Sequence, residues 1–157
     1  MTDPALLDRA PADELYERDF HLWCLRQARL LKERRFAELD LDNVVEELES
    51  LGREQAAKLY SSYRVLLMHL LKWAWQPRRR TRGWQGTIVR ERLAAARQLA
   101  QNPGLKPRRA GLFADAYAAA RKEAAAETGI VLAAFPETCP FTIEQALDEA
   151  FWPERTG

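Results

Sequence analysis

The chain has 157 residues, of which 47% are hydrophobic and 30% charged, a composition that fits one folded domain and argues against a disordered protein. The net charge of +1 hides a segregation, because residues 1–54 hold 14 acidic and 8 basic side chains, whereas residues 76–109 hold 1 acidic and 10 basic ones. No apolar run reaches the roughly 20 residues of a membrane span. The two cysteines make neither a disulfide framework nor a zinc pattern. We therefore expect a cytoplasmic protein.

The N-terminal third of the chain predicts two helices. Apolar residues recur at three- and four-residue spacing over residues 13–35, which is typical of an amphipathic helix. A second apolar stripe runs from Leu41 to Trp75, and Gly52 leaves open whether this is one helix or two nearly collinear ones. The candidate N-caps are Asp13 for the first helix and Asp40 or Asp42 for the second.

Two more helices and a tail follow. Pro77 ends the second helix because proline lacks a backbone donor. The third helix is expected over about 84–100 and the fourth over about 109–127, with Thr128-Gly129 as its stop. A short helix capped by Thr142 lies in the C-terminal tail.

These elements together predict an all-α fold, namely a helical bundle of four main helices with a short C-terminal helix and an irregular tail. Residues 1–12 are expected to form a flexible lead, and residues 13–157 a single domain. Homo-oligomerisation is left open by the sequence.

A basic, tryptophan-containing edge is the most informative feature of the sequence. Arginine matches phosphate and carboxylate geometry, and a tryptophan face can stack on a base. The edge therefore predicts a module that binds a polyanion, with nucleic acid as the most natural ligand, or an acidic protein. The alternative interpretation is that the arginines clasp the acidic edges of the first two helices. The candidate binding residues are Lys72, Arg78, Arg79, Arg80, Arg82, Trp84 and Arg92.

A second hypothesis, from another class, is a metal-assisted phosphoester hydrolase. Its ligands would be carboxylates and one histidine on facing helices: Asp19, Glu46, Glu49 and His69. The alternative is a solvated acidic face with a Glu49–Arg53 ion pair, and a buried imidazole bonded to Glu46 or Asp19. A divalent metal is implied only by the hydrolase hypothesis, and no other cofactor is predicted.

The two tryptophans on either side of the arginine loop are expected to differ. Trp73 continues an apolar stripe with Leu66 and Leu70, so it should be buried. Trp84 lies between Gly83 and Gly86, beside the arginines. It should be partly exposed, or packed beneath an arginine in a cation–π contact.

Several motifs, in one order along nearly the whole chain, carry a family resemblance: YERDFHLW, LDNVVEELESLG, HLLKWAWQPRRR, WQGTI, AAAETG, FPETCPFT and FWPE. With these the sequence resembles the bacterial domain-of-unknown-function family 29. The resemblance implies an all-helical fold and brings no activity with it. The family pattern has a serine before the tryptophan at Trp84, where this chain has Gly83, so the resemblance implies a weaker side-chain cap there.

Overall fold

The computed structural model describes residues 12–154, and this range contains helices, turns and loops but no strand. The all-α class is confirmed, and four of the helices are long, as predicted. The α-helices are α1 (Ala12–Arg18), α2 (Phe20–Lys32), α3 (Leu41–Trp75), α4 (Arg82–Gln101), α5 (Arg109–Thr128) and α6 (Ile143–Leu147). Short 3-10 turns at Pro77–Arg79 and Pro103–Arg108 precede α4 and α5.

The chain divides into two compact units, residues 1–53 and 54–157, and the boundary falls inside α3. The single domain expected over residues 13–157 stays a prediction, and residues 1–11 of the expected lead lie outside the described range.

In the first unit, the prediction of one helix over residues 13–35 is wrong, because Asp19 divides this range into α1 and α2. The backbone of Asp19 leaves the helical region (φ −150°), and its carboxylate accepts a hydrogen bond from the N–H of Leu22 at 2.9 Å. Aspartate is a strong N-cap, so it starts a new helix here. Asp13 lies inside α1 and is not its cap.

Helix α3 is continuous through Gly52, which settles the question that the sequence left open. A helical glycine costs only about 1 kcal/mol relative to alanine, and the buried residues after it stabilise the helix by far more. Asp40 occupies the N-cap position, because its carbonyl accepts the N–H of Val44 at 3.0 Å. Its carboxylate accepts from Trp23 Nε1 at 2.9 Å and so ties α3 to α2.

In the second unit, one apolar core collects residues from α3, α4, α5 and the tail. The apolar stripe of α3 supplies most of it, as its three- and four-residue spacing predicts. Alanines on α5 let that helix approach closely, because they add little bulk at the contact. The fully buried members include Leu59, Tyr63, Leu66, Leu67, Leu70, Leu71, Ile88, Ala95, Ala116, Ala120, Phe135 and Ala146.

The ends of the later helices follow local sequence. Helix α4 begins at Arg82, two residues earlier than predicted, because the Thr81 hydroxyl accepts the N–H of Trp84 at 3.2 Å. The cap is therefore made in spite of the glycine at position 83. Helix α5 stops at Gly129, whose φ of 72° suits glycine, and Thr142 with Gln145 forms a capping box at α6.

Candidate functional site

The basic segment contains one arginine that is buried. Arg92 on α4 is only 2% exposed. Its Nε and Nη2 donate to the carbonyl oxygens of Ala146 (2.8 Å) and Phe151 (2.5 Å), and Nη1 to that of Glu149 at 3.4 Å. The guanidinium also lies 5.2 Å from the centre of the Trp152 ring. Burial lowers the pKa of Arg92 from its usual value. Arg92 thus organises the C-terminal tail and offers no surface to a ligand.

Arg80 holds the last described residues of the chain. Its guanidinium forms two hydrogen bonds with the Glu154 carboxylate, at 2.9 and 2.8 Å, which hold the pKa of Glu154 below its usual value. Nε donates to the carbonyl of Trp73 at 2.9 Å, and the guanidinium lies 4.9 Å from that ring. Trp73 was expected to be buried, and this is wrong, because its ring is only half-buried and packs between Arg80 and Trp152.

Lys72 is a third cation with an internal partner. Its side chain is 9% exposed, and Nζ lies 2.5 Å from the Glu127 carboxylate and 4.6 Å from the centre of the Trp84 ring. Trp84 is half-buried, in agreement with the expected partial exposure. The cation over its ring is a lysine and not an arginine.

The predicted clasp of the arginines is present, but it holds the C-terminal tail. Its acidic side was expected on the first two helices. Arg80 and Arg92 instead bind residues 146–154 of the tail, and Arg109 pairs with Glu144 at 3.1 Å. The tail was the other acidic segment, since residues 110–157 hold 8 acidic and 3 basic side chains. These pairs bring the tail against α4 and α5.

The other candidate arginines lie on the surface. Arg78 and Arg79 are exposed on the 3-10 turn before α4, and Arg82 is exposed at the start of that helix. Within residues 12–154, no acidic side chain forms an ion pair with any of these three. These three guanidinium groups are therefore accessible to an external anion.

One face of α4 combines cations with exposed apolar side chains, and we call it the α4 face. Val89 is 43% and Leu93 is 54% exposed, and they lie in an open depression along the helix. Gly86 is one of its lining residues, and a Cβ added there would meet no atom within 4 Å. The residues that line the depression are Arg82, Gln85, Gly86, Val89, Arg90, Leu93, Ala94 and Arg97.

The cations of the α4 face span about 22 Å, because Arg82 and Arg97 are 15 residues apart at about 1.5 Å per residue. Arg90 pairs with its neighbour Glu91 at 3.1 Å and stays 66% exposed. Within residues 12–154, Arg97 has no acidic partner. The face therefore presents a positive rim around an apolar centre.

Sequence reasoning named Arg82 but missed Val89, Leu93 and Arg97 as parts of one surface. The periodicity of α4 could have shown them. Ile88 lies on one side of the helix and is fully buried, whereas Val89 and Leu93 lie on the opposite side. A helix with apolar residues on both sides has one more apolar surface than its own core needs.

Gly86 gives a direct test of the openness of the α4 face. The change Gly86→Ala should raise the free energy of unfolding by about 0.5–1 kcal/mol, because alanine is the better helix former and its Cβ meets open space. Urea denaturation measures the change. A loss of stability would mean that this part of α4 is not the open helix seen here.

The carboxylates of the metal hypothesis each have a structural contact. Asp19 caps α2. Glu46 and Glu49 both pair with Arg53, at 3.0 and 3.6 Å, on the exposed side of α3. The Glu49–Arg53 pair of the alternative interpretation is thus confirmed. Among residues 12–154, no group of three or more His, Cys, Asp or Glu side chains is arranged to hold a metal ion.

His69 is bonded to its own helix. Its Nδ1 lies 2.8 Å from the carbonyl oxygen of Val65, and this nitrogen must carry the hydrogen because a carbonyl only accepts. Burial lowers the pKa of His69, and the nearby charge of Lys72 lowers it further. Both effects favour the neutral imidazole. The bond to Val65 replaces the one expected to Glu46 or Asp19.

The two cysteines are poor nucleophiles. Burial raises the pKa of Cys139 to about 11, and burial also raises the pKa of Cys24. The thiolate is the reactive form, so neither residue is activated at neutral pH.

Comparison with known proteins places the chain by family. Residues 15–152 match the family described as "Domain of unknown function DUF29", which is nearly the whole chain. The chain belongs to this family. No curated protein and no solved structure matches this DUF29 member. No helix within residues 12–154 is long and apolar enough to cross a membrane.

Proposed function

We propose that this DUF29 protein is a binding module whose α4 face takes an acidic, amphipathic helix of a partner protein. One observation carries the proposal: Val89 and Leu93 are exposed between Arg82, Arg90 and Arg97 on a single helix face. An acidic amphipathic helix matches this pattern, because its apolar stripe covers the centre while its carboxylates meet the guanidinium groups.

A nucleic acid matches the α4 face less well. Phosphates would satisfy the arginines, but a phosphate backbone has no apolar stripe to cover Val89 and Leu93. The stacking platform is also reduced, because Lys72 already lies 4.6 Å from the centre of the Trp84 ring. The charge alone favours any polyanion, and the apolar centre favours a protein.

The expected affinity is moderate. Burying the rest of Val89 and Leu93 contributes about 1–2 kcal/mol each, at roughly 25 cal/mol per Å² of apolar surface. Exposed ion pairs with Arg82, Arg90 and Arg97 contribute only about 0.2–1 kcal/mol each, and salt weakens them. The apolar centre therefore supplies most of the affinity, and the arginines supply orientation and a faster encounter.

Binding of a labelled peptide tests the proposal. The probe is a synthetic helix with leucines at spacings of three and four residues and glutamates on both flanks, and fluorescence anisotropy measures its affinity. Gly86→Leu should weaken binding about tenfold or more, because the side chain fills the depression while the helix stays intact. The triple change Arg82→Gln, Arg90→Gln and Arg97→Gln should weaken binding and flatten its dependence on salt.

Gly111→Leu is the matched control, since Gly111 is also a helical glycine with no atom within 4 Å of an added Cβ, but on α5. It should bind the peptide as wild type does. A wild-type protein that fails to bind the peptide would overturn the proposal. So would tight binding of a single-stranded oligonucleotide that is lost in the triple glutamine variant and unchanged in Gly86→Leu, because that result describes a polyanion surface.

A further inference from the structure

The described part of the first unit exposes more large apolar side chains than it buries. Within residues 14–53, the buried apolar side chains are Leu15, Trp23 and Leu30. Eight large apolar side chains in the same range are exposed: Phe20, Leu25, Leu31, Phe36, Leu41, Val45, Leu48 and Leu51. An exposed apolar surface of this extent marks an interaction site.

Part of this surface is a groove between α2 and α3. Cys24, Ala28 and Leu31 line it from α2, and Val44 and Leu48 line it from α3. The groove is open and largely apolar, and a helix ridge is the kind of element that fits such a groove.

The contacts beneath the groove fix its shape. Trp23 Nε1 donates to the Asp40 carboxylate at 2.9 Å, and the Tyr16 hydroxyl donates to the Glu47 carboxylate at 2.6 Å. The second bond raises the pKa of Tyr16 to about 12. The groove is therefore preformed in the chain, and an occupant need not open it.

A ridge of exposed apolar side chains lies on α3 and shares Leu48 with the rim of the groove. Leu41, Val45 and Leu48 are spaced four and three residues apart, so they share one side of the helix, and they are 60%, 45% and 64% exposed. Groove and ridge belong to one continuous surface of the same unit. Such a self-complementary surface suits a twofold pair, in which each copy gives a ridge and receives one.

The charges around this surface are also self-complementary. The last turn of α2 is basic, with Arg29 and Lys32. The first turns of α3 are acidic, with Asp42, Glu46 and Glu49 on an exposed side of the helix. Glu46 and Glu49 also pair with Arg53 of their own helix, and both carboxylates stay more than half exposed. An α3 ridge that enters the groove of another copy carries its carboxylates towards the basic end of that copy's α2, and the twofold axis repeats the contact.

From the groove, the ridge and the charges we infer that a second copy of this chain is the occupant, and that the protein is a twofold dimer through the first unit. The α3 ridge of each copy lies in the α2–α3 groove of the other. The inference uses no residue of the α4 face, so it stands or falls independently of the proposed function.

The mass of the full chain in solution tests the dimer. Light scattering after size exclusion should give twice the 18.1 kDa chain mass at micromolar concentration. Leu48→Glu should give a monomer, because it places a charge in the centre of the ridge, and Val131→Glu, at a 72% exposed residue of the other unit, should leave the dimer intact. Circular dichroism checks that both variants keep their helices.

A charge exchange tests which surfaces meet. Lys32→Glu and Glu46→Lys should each weaken the dimer at least about fivefold, because the twofold axis turns each change into two like-charge contacts. An equimolar mixture of the two variants should recover a dimer, since both contacts are then complementary. A monomeric wild type, a dimeric Leu48→Glu, or a mixture that stays monomeric would overturn the inference.

Discussion

Arg92→Ala is expected to lower the free energy of unfolding by about 4 kcal/mol or more. The change removes a buried guanidinium and leaves the carbonyls of Ala146, Glu149 and Phe151 without their donor. An unsatisfied buried polar group costs about 1–3 kcal/mol, and the lost packing under Trp152 adds to that. Urea denaturation followed by circular dichroism measures the loss.

Arg97→Ala is the matched control for Arg92→Ala, because it removes the same side chain from the exposed side of the same helix. It should change stability by no more than about 0.5 kcal/mol. Proteolysis should cleave the tail of Arg92→Ala near residues 146–151 before the rest of the chain. Equal stability of the two variants would mean that the tail holds its place without Arg92.

Phe135→Ala should cost about 3–5 kcal/mol, the range for a large aromatic side chain removed from a core. Phe135 is 1% exposed, and its ring centre lies 5.4 Å from that of Trp75. Its carbonyl accepts a hydrogen bond from Arg121 Nε at 3.0 Å, so the same residue joins α5 to the chain that follows it. Chemical denaturation measures the loss, and Trp75 fluorescence should shift towards longer wavelength.

Val131→Ala is the control for Phe135→Ala, because Val131 is 72% exposed on the same connection. It should stay within about 0.5 kcal/mol of wild type. A loss of less than 1 kcal/mol in Phe135→Ala would contradict the core described here.

Much of the fold could be predicted because apolar periodicity and capping residues act locally. The stripe from Leu41 to Trp75 gave α3 its limits, and Thr142 gave α6 its start. The break at Asp19 was missed because, in an amphipathic pattern, an N-cap aspartate cannot be distinguished from a polar residue on the exposed side of a continuous helix. Only its contact with the Leu22 N–H shows that the helix restarts there.

The candidate site could be predicted only in part, because a sequence does not show which cations meet an internal partner. Arg80 and Arg92 resemble Arg82 in the sequence. The acceptors that they meet in the tail lie more than 50 residues away along the chain. Through these contacts Arg80 and Arg92 stabilise the fold, whereas Arg82 stays exposed. The apolar residues of the α4 face were missed because a sequence does not show which of the two apolar sides of that helix faces the core.

Mapping the peptide on the protein by NMR tests the proposed binding site most directly. The ¹⁵N-labelled chain is titrated with the acidic amphipathic peptide, and backbone amide shifts are followed at low and high salt. The proposal predicts that the largest shifts fall on α4 between Arg82 and Arg97 and that they shrink as salt rises. Shifts confined to other helices, or none at millimolar peptide, would contradict it.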